Sequence, residues 1–522
     1  MIKVVDIFAG PGGLSEGFAS VTDARGRPVF DVILSIEKDE QAHRTLQLRA
    51  FFHQFSKHAP PEYYKHLRGE INLEALYDTY PTQAKRAAER CWHATLGPGG
   101  VSARRLRHRI RKVLKDETSW VLVGGPPCQA YSIAGRSRNQ GNPGYGPVKD
   151  VLERLYLEYL QILAEHRPAM FIMENVKGLL SATLDDERMF NRILDDLRDP
   201  AAAVEREGRG GTQVQAGGYR IHSLTEDRVF ENGTLEGSVI QAERYGIPQA
   251  RHRVILLGIR DDIAGIKPGT LTIRKPVPAS AVLKSLPRLR GGLSPRSADS
   301  ANAWRDCLQS QIGSRWATSG TKKVDTTALS RFINRQLKEI PLPDADRGDE
   351  FLRADITIAY ESDWFHDNRI EGVCNHSSRA HMRKDLFRYF YAACYAKHYG
   401  SSPSLKHFPA DLLPDHESAY EAITNGGYFS DRFRVQVGSR PSTTIVSHIS
   451  KDGHYYIHPD PLQCRSLTVR EAARLQTFPD NYLFCGNRTS QYVQVGNAVP
   501  PLLARQIGEI VRDILKKAGA ND

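Results

Sequence analysis

The chain has 522 residues, 40% of them hydrophobic, and carries a formal net charge of +11. This length exceeds that of one ordinary domain, and the hydrophobic content is enough for one or two buried cores, which excludes a largely disordered chain. No apolar stretch approaches the roughly 18 residues that a membrane span needs, so we expect a soluble, cytoplasmic protein without a signal peptide or anchor. The positive charge favours a polyanionic partner, although arginine-rich enzymes that bind no nucleic acid share this property.

Seven cysteines are spread along the chain, at positions 91, 128, 307, 374, 394, 464 and 485. None belongs to a Cys-x-x-Cys pair of the kind that holds zinc. We therefore expect reduced thiols and no metal site.

The first predicted unit is a strand, a glycine turn and the start of a helix, in residues 3–18 (KVVDIFAGPGGLSEGF). This is the arrangement of a nucleotide-binding βα unit. Gly10, Gly12 and Gly13 let the backbone approach a ligand without a Cβ in the way. A second strand, 32–37 (VILSIE), ends in Glu37, which is well placed to accept hydrogen bonds from ribose hydroxyls.

The glycine turn departs from the dinucleotide pattern Gly-x-Gly-x-x-Gly, because Ser15 stands where the third glycine would be. A NAD-dependent dehydrogenase is therefore disfavoured. Helix N-termini of this kind also bind carboxylates, and the amino-acid end of S-adenosylmethionine supplies one. A glycine-rich turn without a ligand is the other interpretation.

Three more apolar strands are predicted, at 121–125, 170–175 and 254–259, with a helical pattern at 151–166 before the second of them. The alternation predicts a parallel, doubly wound α/β sheet. Ligands of such sheets lie beyond the carboxyl ends of the strands. The polar residues that flank these strands are therefore candidates for a site.

Cys128 follows the first of these strands on a stiff Pro126-Pro127 turn. Most lone cysteines are small buried residues, but the double proline and the Gly- and Ser-rich segment that follows argue against burial here. Glu174 ends the next strand, and Arg251 and Arg253 precede the one after. A nucleophile, a carboxylate and guanidinium groups are thus predicted to meet in one region.

Six sequence blocks resemble, in order, those of the DNA cytosine-5 methyltransferase family. They are DIFAGPGG (6–13), GGPPCQAYS (124–132), ENVKGLL (174–180), RYGIPQARHRV (244–254), RSLTVREAARLQTFPD (465–480) and QVGNAVPP (494–501). The resemblance implies a Rossmann-like sheet that binds S-adenosyl-L-methionine, interrupted by a smaller target-recognition domain. It also implies methyl transfer to carbon 5 of a cytosine flipped out of duplex DNA.

The family pattern assigns catalytic roles to four residues. Cys128 adds to carbon 6 of cytosine, Glu174 helps protonate the ring at nitrogen 3, Arg253 holds the carbonyl oxygen and Arg251 supports the site. The segment after Cys128 has the composition of a mobile lid, although an ordinary surface loop shares it. By resemblance, its DNA-contacting residues are Gln129, Ser132 and Arg136.

The resemblance also implies a set of residues that bind the cofactor. They are Phe8, Ala9, Gly10, Gly12, Gly13, Leu14, Glu37, Glu70, Ile71, Pro127, Leu155, Asn497, Ala498 and Val499. Phe8 is expected against the adenine or sulfonium region. Family members often carry a tryptophan after the ribose-binding acid and an aspartate that reads the adenine amine; here Lys38 follows Glu37, and Glu70 is the residue offered for the aspartate.

Three domain segments are predicted: 1–275 for catalysis and cofactor binding with an insertion at about 72–119, 276–485 for target recognition and a hinge, and 486–522 to complete the catalytic domain. The insertion contains a basic helical pattern at 104–115, which is either a solvated face or a contact to the DNA backbone. Arg379, Arg383 and Lys384 are candidate DNA readers, but a solvated helix face explains them as well. The pattern at 465–476 predicts an amphipathic structural helix.

Two other functions remain open at this stage: a tRNA cytosine-5 methyltransferase, and a DNA-binding homologue without catalysis. The intact set of Cys128, Glu174 and Arg253 speaks against the second. The expected partner is double-stranded DNA, bound by a monomer, with a cognate restriction endonuclease acting separately. The biological role is expected to be the modification half of a restriction-modification system.

Overall fold

The computed structural model describes residues 1–55, 58–127, 148–184, 187–211, 213–231, 233, 235–263, 265–318, 326–414 and 430–519. The chain forms two compact units. Unit 1 contains residues 1–58, 80–275 and 498–522, and unit 2 contains residues 59–79 and 276–497. The functional division into catalytic and recognition domains stays a prediction.

Unit 1 is built on an eight-stranded sheet. Its strands are β1 (Ile2–Ile7), β2 (Phe30–Glu37), β3 (Cys91–His93), β4 (Trp120–Gly124), β5 (Met170–Val176), β6 (Tyr219–His222), β7 (Val239–Gln241) and β8 (His252–Arg260). Their order is β3-β2-β1-β4-β5-β8-β6, and β7 pairs with β8 off this path. Strand β4 is buried at every position because both faces of the parallel part are covered, as its unbroken apolar sequence predicts.

The chain direction across the sheet changes between β1 and β4. Strands β1, β2 and β3 run outward to one edge, and β4 and β5 continue on the other side of β1. All five are parallel. Such a switch point opens a crevice at the carboxyl ends of the strands, where ligands of α/β sheets bind. The turns after β1 and β4 flank this crevice.

Strand β8 runs antiparallel to β5, with Arg253 opposite Val176 and Ile259 opposite Met170. The predicted doubly wound α/β sheet is confirmed, but the parallel direction predicted for this strand is wrong, and β6 and β7 are antiparallel to β8 in turn. An apolar pattern carries no information on strand direction. Because β8 is reversed, its first residues, rather than its last, lie at the carboxyl edge of the parallel strands.

Eight α-helices belong to the described part of unit 1. They are α1 (Gly13–Ala19), α2 (Glu40–Phe52), α3 (Pro81–Arg90), α4 (Ala103–Leu114), α5 (Val148–His166), α6 (Met189–Arg198), α7 (Pro200–Arg206) and α8 (Pro501–Ala518). Asp39 caps α2 by accepting from the backbone N–H of Ala42, and Ser102 caps α4 in the same way. Short 3₁₀ helices cover Lys177–Ser181 and Ala242–Tyr245.

Helices α1 and α8 pack at the distance that glycine permits. A Cβ added at Gly17 would lie 2.4 Å from the Cβ of Ala504 and 2.5 Å from the carbonyl oxygen of Pro501. One at Gly13 would lie 2.1 Å from the Val499 carbonyl oxygen. Real Cβ atoms never approach so closely, so the first and last helices of unit 1 require glycine at both positions.

Helix α4 confirms the predicted basic helix. Its buried side is Leu106, Ile110 and Leu114. Arg107 turns back to pair with Glu165, with Nε 2.6 Å from Oε2. Five other basic residues of this helix are exposed: Arg104, Arg105, His108, Arg111 and Lys112.

Unit 2 is mainly helical and has its own core around Trp304, Ile333, Tyr389 and Phe390. Its helices of seven or more residues are Pro61–Leu67, Leu73–Thr79, Ala301–Gln309, Thr326–Lys338, Arg383–Tyr399, Val469–Leu475 and Arg488–Asn497, and shorter ones are Ser280–Leu283, Arg315–Thr318 and Ser362–Phe365. Strands Gly348–Arg353 and Gly372–Ser377 form an antiparallel pair. Two-residue strands Gly292–Leu293 and Ala380–His381 form a second, parallel pair.

Helix Val469–Leu475 is buried at all seven positions. The predicted helix is confirmed. Its predicted amphipathic character is wrong, because the helix has no exposed face. Its charged residues are buried because each finds a partner inside unit 2: Arg474 forms a bidentate pair with Asp480, at 2.8 and 2.6 Å, and Glu471 pairs with Arg465. Thr468 and Glu471 form a capping box at its start.

Within the described ranges, no helix is both long enough and apolar enough to cross a membrane.

Candidate functional site

The turn between β1 and α1 is held in a conformation that favours glycine. Gly10 and Gly12 have φ angles of 56° and 94°, and Phe8, which is not a glycine, has a φ of 56°. A positive φ at a bulky aromatic residue costs roughly 1–2 kcal/mol. Strain of this kind accumulates at ligand-binding turns. A Cβ at Gly10 would meet nothing within 4 Å, so open space adjoins the backbone there.

Glu37, at the end of β2, is held against this turn. The backbone N–H of Gly10 donates to its Oε2 at 2.8 Å, and that of Asp39 donates to its Oε1 at 2.8 Å. Two backbone donors fix the carboxylate at the crevice, and each oxygen keeps a lone pair for another donor. The arrangement fits a ligand with hydroxyl groups next to the glycine turn.

Asp6 lies beneath the same turn and is 1% exposed. Its Oδ2 accepts a hydrogen bond of 2.5 Å from the Ser15 hydroxyl. Its Oδ1 has no hydrogen-bond partner among the described residues. Burial raises the pKa of Asp6 to about 7, the Ser15 hydrogen bond opposes this change, and the charge of Glu37 adds to it. Sequence reasoning missed Asp6, although a carboxylate at the end of an apolar strand is a usable signal.

Glu174 and Arg253 form an ion pair at the carboxyl edge, with 3.0 Å between Oε1 and Nε. The antiparallel β5–β8 pairing brings them together. Gly125 adjoins them: a Cβ there would lie 2.9 Å from Oε2 of Glu174. The carboxylate therefore contacts backbone three residues before Cys128. Of the predicted catalytic residues, Glu174 and Arg253 lie together in the structure. The segment that follows β4 passes beside Glu174 at Gly125.

Arg251 is buried, with 2% of its surface exposed. Its carbonyl oxygen accepts from the N–H of Ala242 at 3.1 Å, and its N–H donates to the Gln249 carbonyl at 2.9 Å. His252, next to it, pairs with Glu243 at 2.7 Å. Arg251 thus belongs to the turn that leads into β8, where it can support Arg253.

Cys128 and the predicted DNA contacts Gln129, Ser132 and Arg136 lie outside the described residues. Pro127 is the last described residue before them and is half-buried. The catalytic role of Cys128 stays a prediction from the sequence.

The other predicted cofactor residues of unit 1 fall into three places. Leu14, Ala498 and Val499 are buried where α1 meets the start of the last segment. Leu155 contacts the loop after β3: a Cβ at Gly97 would lie 3.1 Å from its Cδ2. Ala9 follows Phe8 in the turn, and its N–H donates to the Ile36 carbonyl at 3.1 Å.

Three predicted cofactor residues, Glu70, Ile71 and Asn497, belong to unit 2. Glu70 lies in the turn after helix Pro61–Leu67, and Arg68 donates to both its oxygens at 2.6 and 3.3 Å. The Arg68 hydrogen bond lowers the pKa of this carboxyl. Asn497 is the exposed last residue of helix Arg488–Asn497. Their roles towards a cofactor stay predictions.

Arg379, a candidate DNA reader, is engaged inside unit 2. Its guanidinium lies 4.1 Å from the ring centre of Tyr492 and donates to the Lys451 carbonyl at 3.0 Å. These contacts account for the residue without DNA. Arg383, in contrast, is exposed at the start of helix Arg383–Tyr399.

Comparison with known proteins identifies the family. The model of the family "C-5 cytosine-specific DNA methylase" matches residues 106–201 and 234–512, which is more than half of the chain. The chain belongs to the C-5 cytosine-specific DNA methylase family. The enzyme is accordingly a DNA (cytosine-5-)-methyltransferase with a Rossmann-like α/β sheet.

Individual relatives of this methylase span its whole length. The type II methyltransferase M.Bpa9945I of Bacillus paralicheniformis is 30% identical over 534 residues, covering 98% of this chain and 99% of the relative. The DNA (cytosine-5-)-methyltransferase M.ApeKI of Aeropyrum pernix is 26% identical over 553 residues, covering 98% of each. A solved structure of a prophage-encoded DNA modification methyltransferase from E. coli is 18% identical, with a TM-score of 0.46 and coverage of 99% and 100%. The strand order, and not this likeness, establishes the fold.

A methylase needs a methyl donor, and the crevice has features that fit S-adenosyl-L-methionine. Open space adjoins Gly10, and Glu37 presents a fixed carboxylate beside it. The half-buried side chain of Leu155 adds an apolar group beside the loop after β3. These residues match the polar and apolar parts of a nucleoside.

Proposed function

We propose that the protein methylates carbon 5 of cytosine within a specific sequence of double-stranded DNA, through a covalent adduct with Cys128. The observation that carries this proposal is the ion pair of Glu174 and Arg253, held against Gly125 at the carboxyl edge of the sheet. Cytosine needs an acid near nitrogen 3 and a donor to its carbonyl oxygen, and these two side chains supply both. Cys128 follows Gly125 by three residues.

The chemistry follows from the poor nucleophilicity of carbon 5. The thiolate of Cys128 forms a bond to carbon 6, and the electron pair of the 5,6 double bond becomes available at carbon 5. Glu174 takes up a proton as the base binds and delivers it to nitrogen 3, and Arg253 donates to the carbonyl oxygen, as the thiolate adds; nitrogen 3 returns this proton to Glu174 when the thiolate leaves. S-adenosyl-L-methionine, when bound, supplies the methyl group and leaves as S-adenosyl-L-homocysteine. A base then removes the carbon-5 proton, and the returning electron pair expels the thiolate.

The proposed donor site uses the turn from Phe8 to Leu14 and the carboxylate of Glu37. Glu37 binds the ribose hydroxyls through the lone pairs that its two backbone donors leave available. Leu155 and Pro127 flank the base and the methyl-bearing end, and Ala498 and Val499 close the site. The target base leaves the duplex to reach this edge, because its carbon 6 is inaccessible inside the stack.

A relative that matches this chain over nearly the whole length of both proteins is named a type II methyltransferase. That name supports a role in restriction-modification. In that role the enzyme acts as a monomer on duplex DNA in the cytoplasm, and a separate endonuclease cuts the same unmethylated sequence. Arg136, Ser132 and Gln129 contact the DNA from the segment after Cys128. Unit 2 contributes the residues that choose the sequence.

The test is methylation of unmethylated genomic DNA with S-adenosyl-L-methionine, followed by sequencing of 5-methylcytosine. We expect one short motif to be modified, and Cys128→Ala to abolish the modification. Cys307→Ala, which changes a half-buried thiol of unit 2, is the matched control and keeps activity. A duplex with 5-fluorocytosine at the target should form a complex that resists denaturation, because fluorine cannot leave as the proton does.

Parallel reactions with tRNA distinguish the alternative substrate. Methylation of tRNA but not of DNA contradicts the proposal. Full activity of the Cys128→Ala variant contradicts the covalent mechanism. DNA binding by the wild-type protein without any methyl transfer indicates a non-catalytic homologue instead.

A further inference from the structure

The end of strand β3 lies directly beside Glu37. In the parallel β2–β3 pair, His93 is opposite Glu37. The N–H of Ala94 then donates to the Glu37 carbonyl at 3.0 Å, which holds the following loop against the end of β2. Strand β1 borders β2 on the other side and leads into the glycine turn. A ligand that extends from the glycine turn across Glu37 therefore reaches His93 next.

The imidazole of His93 is exposed, and its tautomer is fixed. Its Nε2 lies 2.9 Å from the carbonyl oxygen of Lys38. A carbonyl oxygen only accepts, so Nε2 carries the hydrogen, and Nδ1 of the neutral ring is an acceptor. His43 stacks on the ring at 5.2 Å between centroids and 29° between planes. His43 is itself placed by the Cys91 carbonyl, 3.3 Å from its Nε2.

The loop after His93 provides an apolar surface. Leu155, which is half-buried, lies beside Gly97, where an added Cβ would be 3.1 Å from its Cδ2, and Leu96 is buried beneath the loop. A nucleobase is planar, so it needs an apolar flank and a few polar groups at its edge. The end of β3 offers both within five residues.

Glu70 is less suited to this task. Its carboxylate is bound by Arg68 through both oxygens, and Arg353 lies 3.8 Å away. It lies in the turn after helix Pro61–Leu67 and belongs to no strand of the sheet. His93, in contrast, is fixed by the strand that pairs with the ribose-binding strand.

We propose that His93, and not Glu70, reads the nucleobase of the methyl donor, with Nδ1 accepting a hydrogen bond from the exocyclic amine of adenine. The inference rests on the proposed use of S-adenosyl-L-methionine and adds the residue that recognises its base. A histidine acceptor carries no charge in this state, so recognition depends on geometry and on the fixed tautomer.

The test is calorimetric binding of two compounds without DNA: S-adenosyl-L-homocysteine and S-inosyl-L-homocysteine, whose base has a carbonyl in place of the amine. The wild-type protein is expected to prefer the adenosyl compound. His93→Ala should weaken its binding about tenfold, the ratio for one net hydrogen bond, and should abolish the preference. Glu70→Gln tests the rival assignment: if His93 reads the base, this variant should bind both compounds as the wild-type protein does.

A preserved preference in His93→Ala overturns the inference. Loss of the preference in Glu70→Gln, with His93→Ala unaffected, assigns the base to Glu70. If the wild-type protein binds neither compound, the proposed cofactor fails and the inference falls with it. Because His93 is exposed, His93→Ala should unfold at the wild-type temperature.

Discussion

Arg253 reaches Glu174 diagonally across the antiparallel β5–β8 pair, with 3.0 Å between Nε and Oε1. The register places Ile255 opposite Glu174, so Arg253 lies two positions along β8 on the same face of the sheet. Both side chains are about 15% exposed or less. In a largely desolvated pair each charge orients the other, and removal of one leaves its partner uncompensated. Chemistry that needs both groups therefore depends on this register.

Glu174→Gln tests the proposed acid. The amide keeps the shape of the carboxyl but cannot deliver its proton, so single-turnover methyl transfer should fall by roughly 10²–10⁴-fold. Affinity for S-adenosyl-L-homocysteine, measured by calorimetry, should stay at the wild-type value. A rate within a few fold of wild type would remove Glu174 from the proton transfer. His252→Ala, which changes a neighbouring residue paired with Glu243, is the control.

Gly17→Ala tests the close packing of α1 on α8. The added methyl group would lie 2.4 Å from the Cβ of Ala504, so the helices must separate, at a cost of about 1–3 kcal/mol. A lower midpoint in chemical denaturation is the expected result. Gly211→Ala is the matched control, because nothing lies within 4 Å of its added Cβ. Equal midpoints for the two variants would show that the helices do not approach so closely.

Asp6→Asn tests the buried carboxyl beneath the glycine turn. Burial raises the pKa of Asp6 from 3.8 to about 7, so between these pH values the folded state keeps a proton that the unfolded state has lost. Wild-type stability therefore decreases as pH rises through this window and is constant above it. At 1.36 kcal/mol per pKa unit, the free energy of unfolding of the variant should rise by roughly 4 kcal/mol relative to that of the wild type between pH 4 and pH 8.

Thermal unfolding of both proteins at several pH values measures this effect. The difference between the two unfolding temperatures should grow from pH 4 to pH 7 and then level off. A difference that does not change with pH would indicate that Asp6 is ionised in the folded protein across the range.

Substitution of the buried Arg465–Glu471 pair tests how much the charges around helix Val469–Leu475 stabilise unit 2. The two groups form two bonds of 2.7 Å and are at most 1% exposed. Burial alone would raise the pKa of Glu471, but Arg465 and His458 hold it well below its ordinary value. The stability that ionised Glu471 contributes should therefore be fully present above pH 4.5, its ordinary pKa, and should be lost as the pH falls below that value.

Arg465→Met should destabilise the protein by about 3–5 kcal/mol, because it leaves a buried carboxylate without its main partner. Arg465→Met combined with Glu471→Leu should cost less than the sum of the two single changes, as measured by denaturant unfolding. Additive costs would show that the two groups stabilise the protein independently.

Much of the sheet is predictable because its strands are apolar runs bounded by turns. The sequence predicts β1, β2, β4 and β5 and the helix at 151–166, and the structure has each of them. It does not predict the direction of β8, because hydrophobic periodicity is the same for parallel and antiparallel strands. It also misses β3, since three residues are too few to form a pattern.

The candidate site, like the sheet, is only partly predictable from the sequence. Glu174 and Glu37 lie at strand ends and Arg253 at the start of β8, where the sequence pattern places them, and their roles in the site stay predictions. The place of Glu70 in the chain does not show that long-range packing puts residues 59–79 into unit 2, and its role towards a cofactor stays a prediction. Asp6 and His93 gain their properties from burial and from neighbours that are distant in the chain, which local sequence does not reveal.

The packing of α1 against α8 has a consequence for synthesis. Gly13 packs against Val499, and Gly17 packs against Ala504. These contacts of the first helix cannot form until nearly five hundred further residues have been synthesised. The side of α1 that packs on α8 is uncovered during that interval. Contacts of such sequence separation form slowly, so nascent chains of this enzyme should depend on chaperones until α8 emerges.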